Sequence, residues 1–193
     1  MRKAILGLWL SAMVCGPAWA EDCGGGRTML FERFMHREFP VDVPLRIYVP
    51  SEYDYVELEL KQAVTAYWMK PGQEKVLDAD PDGAVPGGYL FGIWSRTITY
   101  DSKTKTFLGL DELFEQIKAD KKNELTIERA DNQGHDLLFV ELAMPGKVER
   151  TYSAFIDMNR ENAVFMVNYV PPEGDRAHSE CVWRNVKAAL KGD

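Results

Sequence analysis

The densest cluster of metal-type ligands in the sequence is Asp78-x-Asp80-x-Asp82-Gly83. Alternate carboxylates followed by glycine match the first half of a calcium loop, where hard oxygen ligands converge on the cation and glycine permits the turn. The second half departs from the pattern. Tyr89 stands where a bidentate Glu belongs, and Pro81 and Pro86 stiffen the segment. The reading favoured here is a metal-free acidic loop built from turn-forming residues, with calcium held by Asp78, Asp80 and Asp82 as the weak alternative.

The other reactive side chains are few. The three histidines, His36, His135 and His178, match no zinc-ligand spacing such as H-E-x-x-H. No G-x-S-x-G elbow is present, and Ser95, in Ile93-Trp94-Ser95-Arg96, lacks the flanking glycines of a nucleophile turn. Glu57 and Glu59 share a side if their segment is a strand, and Glu57 pairs with Lys61 if it is a helix; both arrangements describe a solvated face. The reading is therefore a non-enzyme with no cofactor.

Compartment follows from the first residues. Arg2 and Lys3 precede an uncharged apolar run from Ala4 to Val14, and Ala18-Trp19-Ala20 supplies small residues where a signal peptidase cuts. Residues 1–20 are read as a cleaved leader and 21–193 as one domain. The apolar run is about half of the ~20 residues needed to span a bilayer, so no stable membrane insertion is expected. Cys15 ends that run, but Val14 and Ala12 fit a lipoprotein signal poorly. Cys15 departs with the leader, which leaves Cys23 and Cys181, an even number in an oxidising compartment; one disulfide between them is expected.

Charge narrows the partners. Lys and Arg number 23 against 30 Asp and Glu, a net charge of −7, and losing Arg2 and Lys3 with the leader takes this two further, to −9. An acidic surface disfavours nucleic acid, which requires a basic footprint. It suits a basic protein partner, or serves solubility alone, which is the commoner use of such a charge.

These residues need elements to hold them. Val41, Val43, Leu45, Ile47 and Val49 alternate with other side chains at period two, a strand with one buried face. Residues 28–39 fit a strand or a helix. Residues 53–70 fit both as well: Val56, Leu58 and Leu60 alternate, whereas Tyr53, Val56, Leu60, Val64 and Tyr67 keep helical spacing. Residues 71–88 form a long Pro/Gly/Asp-rich loop, and 89–100 a strand turning at 101–105. Leu110, Leu113, Phe114 and Ile117 mark a helix over 110–121. Strands are expected over 125–129, 137–144, 150–157 and 163–170, and a closing helix over 179–190 stopped by Gly192. The fold class is α+β: a single domain in which an antiparallel sheet carries the mid-chain and C-terminal helices, both on one face.

Phe39 to Ser51 (F-P-V-D-V-P-L-R-I-Y-V-P-S) and the strand-to-helix ending over Ala163 to Leu190, taken with this order of elements, resemble the PsbP/DcrB-like exported α+β fold. The resemblance is architectural and spans most of the mature chain. It implies accessory, chaperone-like or binding roles and supplies no catalytic residues.

Together these readings describe an exported periplasmic binding protein, such as a toxin-neutralising immunity protein or an envelope accessory factor. A small periplasmic hydrolase with a dispersed active site is the rival, and a calcium- or ligand-responsive sensor the third. Long loops in compact domains are commonly functional. The expected partner surface is Asp78, Asp80 and Asp82 with the aromatic flanks Tyr67, Trp68 and Tyr89.

Overall fold

A computed structural model of the chain describes residues 23–31, 45–60, 63–73, 88–95, 100–119, 124–143, 150–157 and 164–192. The elements run β1 (Gly26–Phe31), β2 (Leu45–Pro50), β3 (Asp54–Leu60), β4 (Ala63–Met69), β5 (Tyr89–Ser95), β6 (Tyr100–Asp101) and β7 (Thr106–Phe107). Helix α1 (Leu110–Lys118) follows, then β8 (Glu124–Asn132), β9 (His135–Ala143), β10 (Arg150–Asp157), β11 (Val164–Val170) and helix α2 (Arg176–Lys191). A seven-stranded antiparallel sheet, ordered β3-β4-β5-β11-β10-β9-β8, is the frame; β1–β2 and β6–β7 are separate two-stranded ribbons. The domain is α+β, as its patterning suggests. No helix among the described residues is long and apolar enough to cross a membrane.

The ambiguous segment 53–70 resolves as the β3–β4 hairpin, with Asp54 opposite Met69 and Leu60 opposite Ala63. Strand period wins because the sheet offers both strands cross-strand partners, which an isolated amphipathic helix here would lack. The β8–β9 turn places Gln133 at φ 54° and Gly134 at φ 85°. Two successive left-handed residues are what a two-residue hairpin loop needs to match strand twist.

The two helices cover opposite faces, which corrects the expectation that both lie on one. Leu137 and Phe139 of β9 share a core with Tyr152, Ala154, Ile156 and, from α2, Val182, Trp183 and Val186. Leu138 and Val140 face the other way and join Phe155, Val164, Leu110 and Leu113 beneath α1. Four consecutive buried residues, Leu137 to Val140, are the mark of a strand covered on both sides. A continuous apolar run of this kind does not say which element covers which face.

Helix α2 is the better anchored of the two. Asp175 accepts from the His178 N–H at 3.0 Å at its start, and Gly192 at φ 82° ends it in the left-handed conformation. Trp183 lies 5.3 Å from the Tyr152 ring and 6.0 Å from the Phe139 ring, and its Nε1 donates to Glu141 at 3.1 Å. β2 packs on α2 as well, with Ile47 and Val49 in the same core as Val182 and Trp183. The helix therefore packs against both the ribbon and the sheet. Cys23, just before β1, is joined to Cys181 of α2, with Cα atoms 5.8 Å apart, fastening the ribbon to the helix. On α1, the Glu112 carboxylate accepts from the Gly109 N–H at 2.5 Å, and Asp111 and Glu112 lie in the first turn, favourable to the helix dipole.

Candidate functional site

Because β3 and β4 are strands, neighbouring residues point to opposite faces, and the expected aromatic group is divided. Trp68 lies on the α2 side and is fully buried at 0% exposure. It belongs to the core, which corrects its assignment to the partner surface. Tyr53 is likewise core at 1%, while Tyr55, cross-strand from Trp68 with rings 5.8 Å apart, is 48% exposed.

Tyr67 and Tyr89 do come together on the α1 side, and Phe91, which the sequence did not single out, completes the row. Tyr67 and Phe91 are cross-strand partners, and Tyr89 stands two residues before Phe91 on the same face. Ring centroids are 5.6 Å apart for Tyr67–Phe91, 5.9 Å for Tyr89–Phe91 and 6.3 Å for Tyr67–Tyr89. All three rings are partly buried. Such contacts are stabilising beyond the area they bury and hold the rings rigid. Burial raises the Tyr67 phenol above its ordinary value, and Tyr89 is raised by burial first and by Tyr67 second. Both stay neutral across the physiological range.

The row sits where residues 74–87 leave and rejoin the sheet, since Met69 and Tyr89 are cross-strand partners at that end. Asp78, Asp80 and Asp82 fall within 74–87 and lie outside the described residues. The acidic half of the expected site, and the calcium reading, therefore rest on sequence.

The remaining candidates for chemistry have structural partners. His135 begins β9, and its Nδ1 is 2.9 Å from the Asp157 carbonyl oxygen. His178 lies in the first turn of α2, with its backbone N–H on Asp175; His36 lies outside the described residues. No three His, Cys, Asp or Glu side chains among the described residues are placed to hold a metal ion. The densest charge network joins Lys187 and Lys191 to Glu128, Lys187 to Glu141 at 3.4 Å, and Arg150 to Glu141 at 3.7 Å. The hydrogen bond from Lys191 leads, with one from Lys187, in holding the Glu128 carboxyl below its usual range. This network clamps α2 to β8 and β9.

A small cavity of about 40 Å³ near the start of α2 is lined by Tyr152, Pro171, Ser179 and two arginines. Arg150 is within reach of Glu124 and Glu141, and Arg176 of Glu180, so both guanidinium groups are already met by carboxylates.

No family model matches the chain, and no curated protein matches it.

Proposed function

We propose that this is an exported, non-enzymatic binding protein that acts in the periplasm and engages a basic protein partner. The observation that carries the reading is the Tyr67–Phe91–Tyr89 row at the sheet end where the acidic segment 74–87 is attached. Rigid, partly buried aromatic side chains are the usual anchors of protein interfaces, because they bury much area at little entropic cost. In sequence, the connecting segment carries Asp78, Asp80 and Asp82 among Pro and Gly residues, and negative charge of that kind speeds encounter with a basic surface and selects against acidic ones.

An immunity protein for a secreted toxin, or an envelope accessory factor, is the role that suits this surface. The resemblance to the PsbP/DcrB-like group leads to the same class of role. The reading extends to the leader: residues 1–20 are removed on export, and the mature N-terminus is Glu21.

The test is co-purification from periplasmic extract with the wild-type mature chain. Affinity for the captured protein is then compared between wild type and the triple variant Asp78→Ser, Asp80→Ser, Asp82→Ser. The expected result is weaker binding with a shallower salt dependence at unchanged melting temperature. Unchanged affinity and unchanged salt dependence would discard the reading, as would turnover of an ester, amide or glycan by the purified protein.

A further inference from the structure

The α1 side of the sheet is only partly covered by its helix. Between α1 and strands β8, β9 and β10 runs an open groove of about 400 Å³, within the size range of small-molecule sites. Its two walls differ chemically. Ile117 of α1 with Leu125, Val140 and Leu142 makes one wall apolar. Thr151 and Ser153, the cross-strand partners of Leu142 and Val140 on β10, put two hydroxyls on the other wall, which ends on the Phe155 ring beneath α1, and Gln116 adds an amide at the α1 edge. Strand register dictates this asymmetry, because a cross-strand pair places one side chain on each wall. Beyond Ser153 the next cross-strand position holds Asn168, so the neutral polar line continues onto β11.

No lining side chain among the described residues is ionisable, in a chain of which 27% of residues are charged. A charged ligand would leave water without a counter-charge, which is costly. A purely apolar ligand would leave the Thr151 and Ser153 hydroxyls covered and unanswered. At about 30 Å³ per water-sized group, the groove takes roughly a dozen non-hydrogen atoms.

We propose that this groove binds a neutral amphiphile of medium chain length, an acyl amide or acyl ester. Its alkyl chain lies along the Ile117, Leu125, Val140 and Leu142 wall, and its carbonyl accepts from the Thr151 or Ser153 hydroxyl. This goes beyond the protein-partner reading and stands independently of it, since neither Tyr67 nor Tyr89 lines the groove.

The experiment is calorimetric titration of the mature, disulfide-bonded chain with N-methylhexanamide, N-methyloctanamide and N-methyldecanamide, with sodium decanoate as the charged comparison. Affinity is expected to rise about fourfold per methylene until the groove is filled. Decanoate is expected to bind at least tenfold more weakly than the decanamide. Leu142→Asn, at a partly buried position outside both core clusters, should lower affinity at least tenfold with little change in melting temperature. Thr151→Val with Ser153→Ala should lower affinity for the amides several-fold by removing the donors to their carbonyl, while decanoate stays the weaker ligand because its charge is still left without a partner. Absence of saturable binding up to the amides' solubility, equal binding of decanoate, or indifference to Leu142→Asn would overturn the proposal. So would a dimer in sedimentation that Leu142→Asn dissociates, since the occupant would then be a second copy. The triple aspartate-to-serine variant should bind the amides as wild type does, so failure here and failure of the protein-partner reading are separately visible.

Discussion

Breaking the Cys23–Cys181 bridge is the perturbation whose size follows most directly from this fold. The two cysteines are 158 residues apart in sequence. In the chain-entropy description, closing so long a loop restricts the unfolded ensemble by about 5 kcal/mol at 25 °C. The observed loss should fall below that figure, because unfolded chains are not ideal coils. The native side of the balance changes little, since β1 remains paired to β2 and β2 to α2 without the bridge. A loss of about 2–5 kcal/mol is therefore expected, a large share of the ~5–15 kcal/mol that holds a typical domain together. The assay is urea unfolding of the mature chain, oxidised and reduced, and of Cys23→Ala with Cys181→Ala. Alanine is chosen because serine would bury hydroxyls at sites where Cys23 is only 6% exposed. The slope with urea should also rise on reduction, as the freed unfolded chain exposes more surface. Two thiols per reduced chain, with a stability loss under about 0.5 kcal/mol and an unchanged slope, would refute the reasoning.

Three further predictions concern the core and its charges. Burial, with Tyr169 and Glu52 nearby, raises the Tyr53 phenol, and burial pushes Tyr169 up to about 12. The folded state keeps both protons where the unfolded phenol, at its ordinary value of 10.0, has lost them. Stability should be flat below about pH 9 and then fall, by about 2 kcal/mol between pH 10 and 11 for the pair; a melting curve unchanged to pH 11 would contradict this. Glu128 has the opposite sign. Its lowered pKa stabilises the fold above its ordinary 4.5 and is lost as pH falls through the folded value, so Glu128→Gln should flatten the acid limb of a stability profile. That variant should cost under about 1 kcal/mol at neutral pH, because the pair is partly exposed. Gly26→Ala should cost about 1–3 kcal/mol, since a Cβ there would overlap the buried Tyr48 ring; recovery of most of the loss in a Tyr48→Leu background would identify the clash as the cause.

Period and punctuation carried most of the fold into view. Arg150–Asp157 is a strand with the bounds expected for it, and Gly192 stops α2 in the left-handed conformation that glycine favours. The disulfide followed from counting cysteines once Cys15 was assigned to the leader. Residues 53–70 resisted because Tyr53, Val56, Leu60, Val64 and Tyr67 satisfy helical spacing by coincidence, and only the β5 partner strand decides the matter. The same ambiguity hid the site. Tyr67 and Trp68 look like one aromatic pair when read as text, yet a strand sends them to opposite faces. Phe91 was invisible as a site residue because its significance comes from standing cross-strand from Tyr67, 24 positions away. The groove was unreadable for the same reason: Ile117, Leu142 and Thr151 carry no motif, and they meet only through sheet register and the placement of α1.

The two faces of the sheet divide the work of this chain. On the α2 side, Trp68, Trp183, Tyr53 and Tyr169 are all at or below 1% exposure, the disulfide closes over them, and Glu128, Glu141, Lys187 and Lys191 bind the helix down. A surface so fully committed has little left to offer a ligand, and changes there should be read as changes in stability. On the α1 side, a nine-residue helix covers only part of a seven-stranded sheet. The row of Val140, Ser153, Asn168, Phe91 and Tyr67 crosses five strands from the groove to the aromatic edge, passing from apolar through neutral polar to aromatic. A sheet face covered by protein along its whole width is apolar throughout, whereas a face left partly open carries polar side chains. A serine and an asparagine in the middle of such a row weaken the packing of that face and supply hydrogen-bonding groups in return. On the face proposed here to bind a ligand that exchange has a use, so variants there should alter binding before they alter melting temperature.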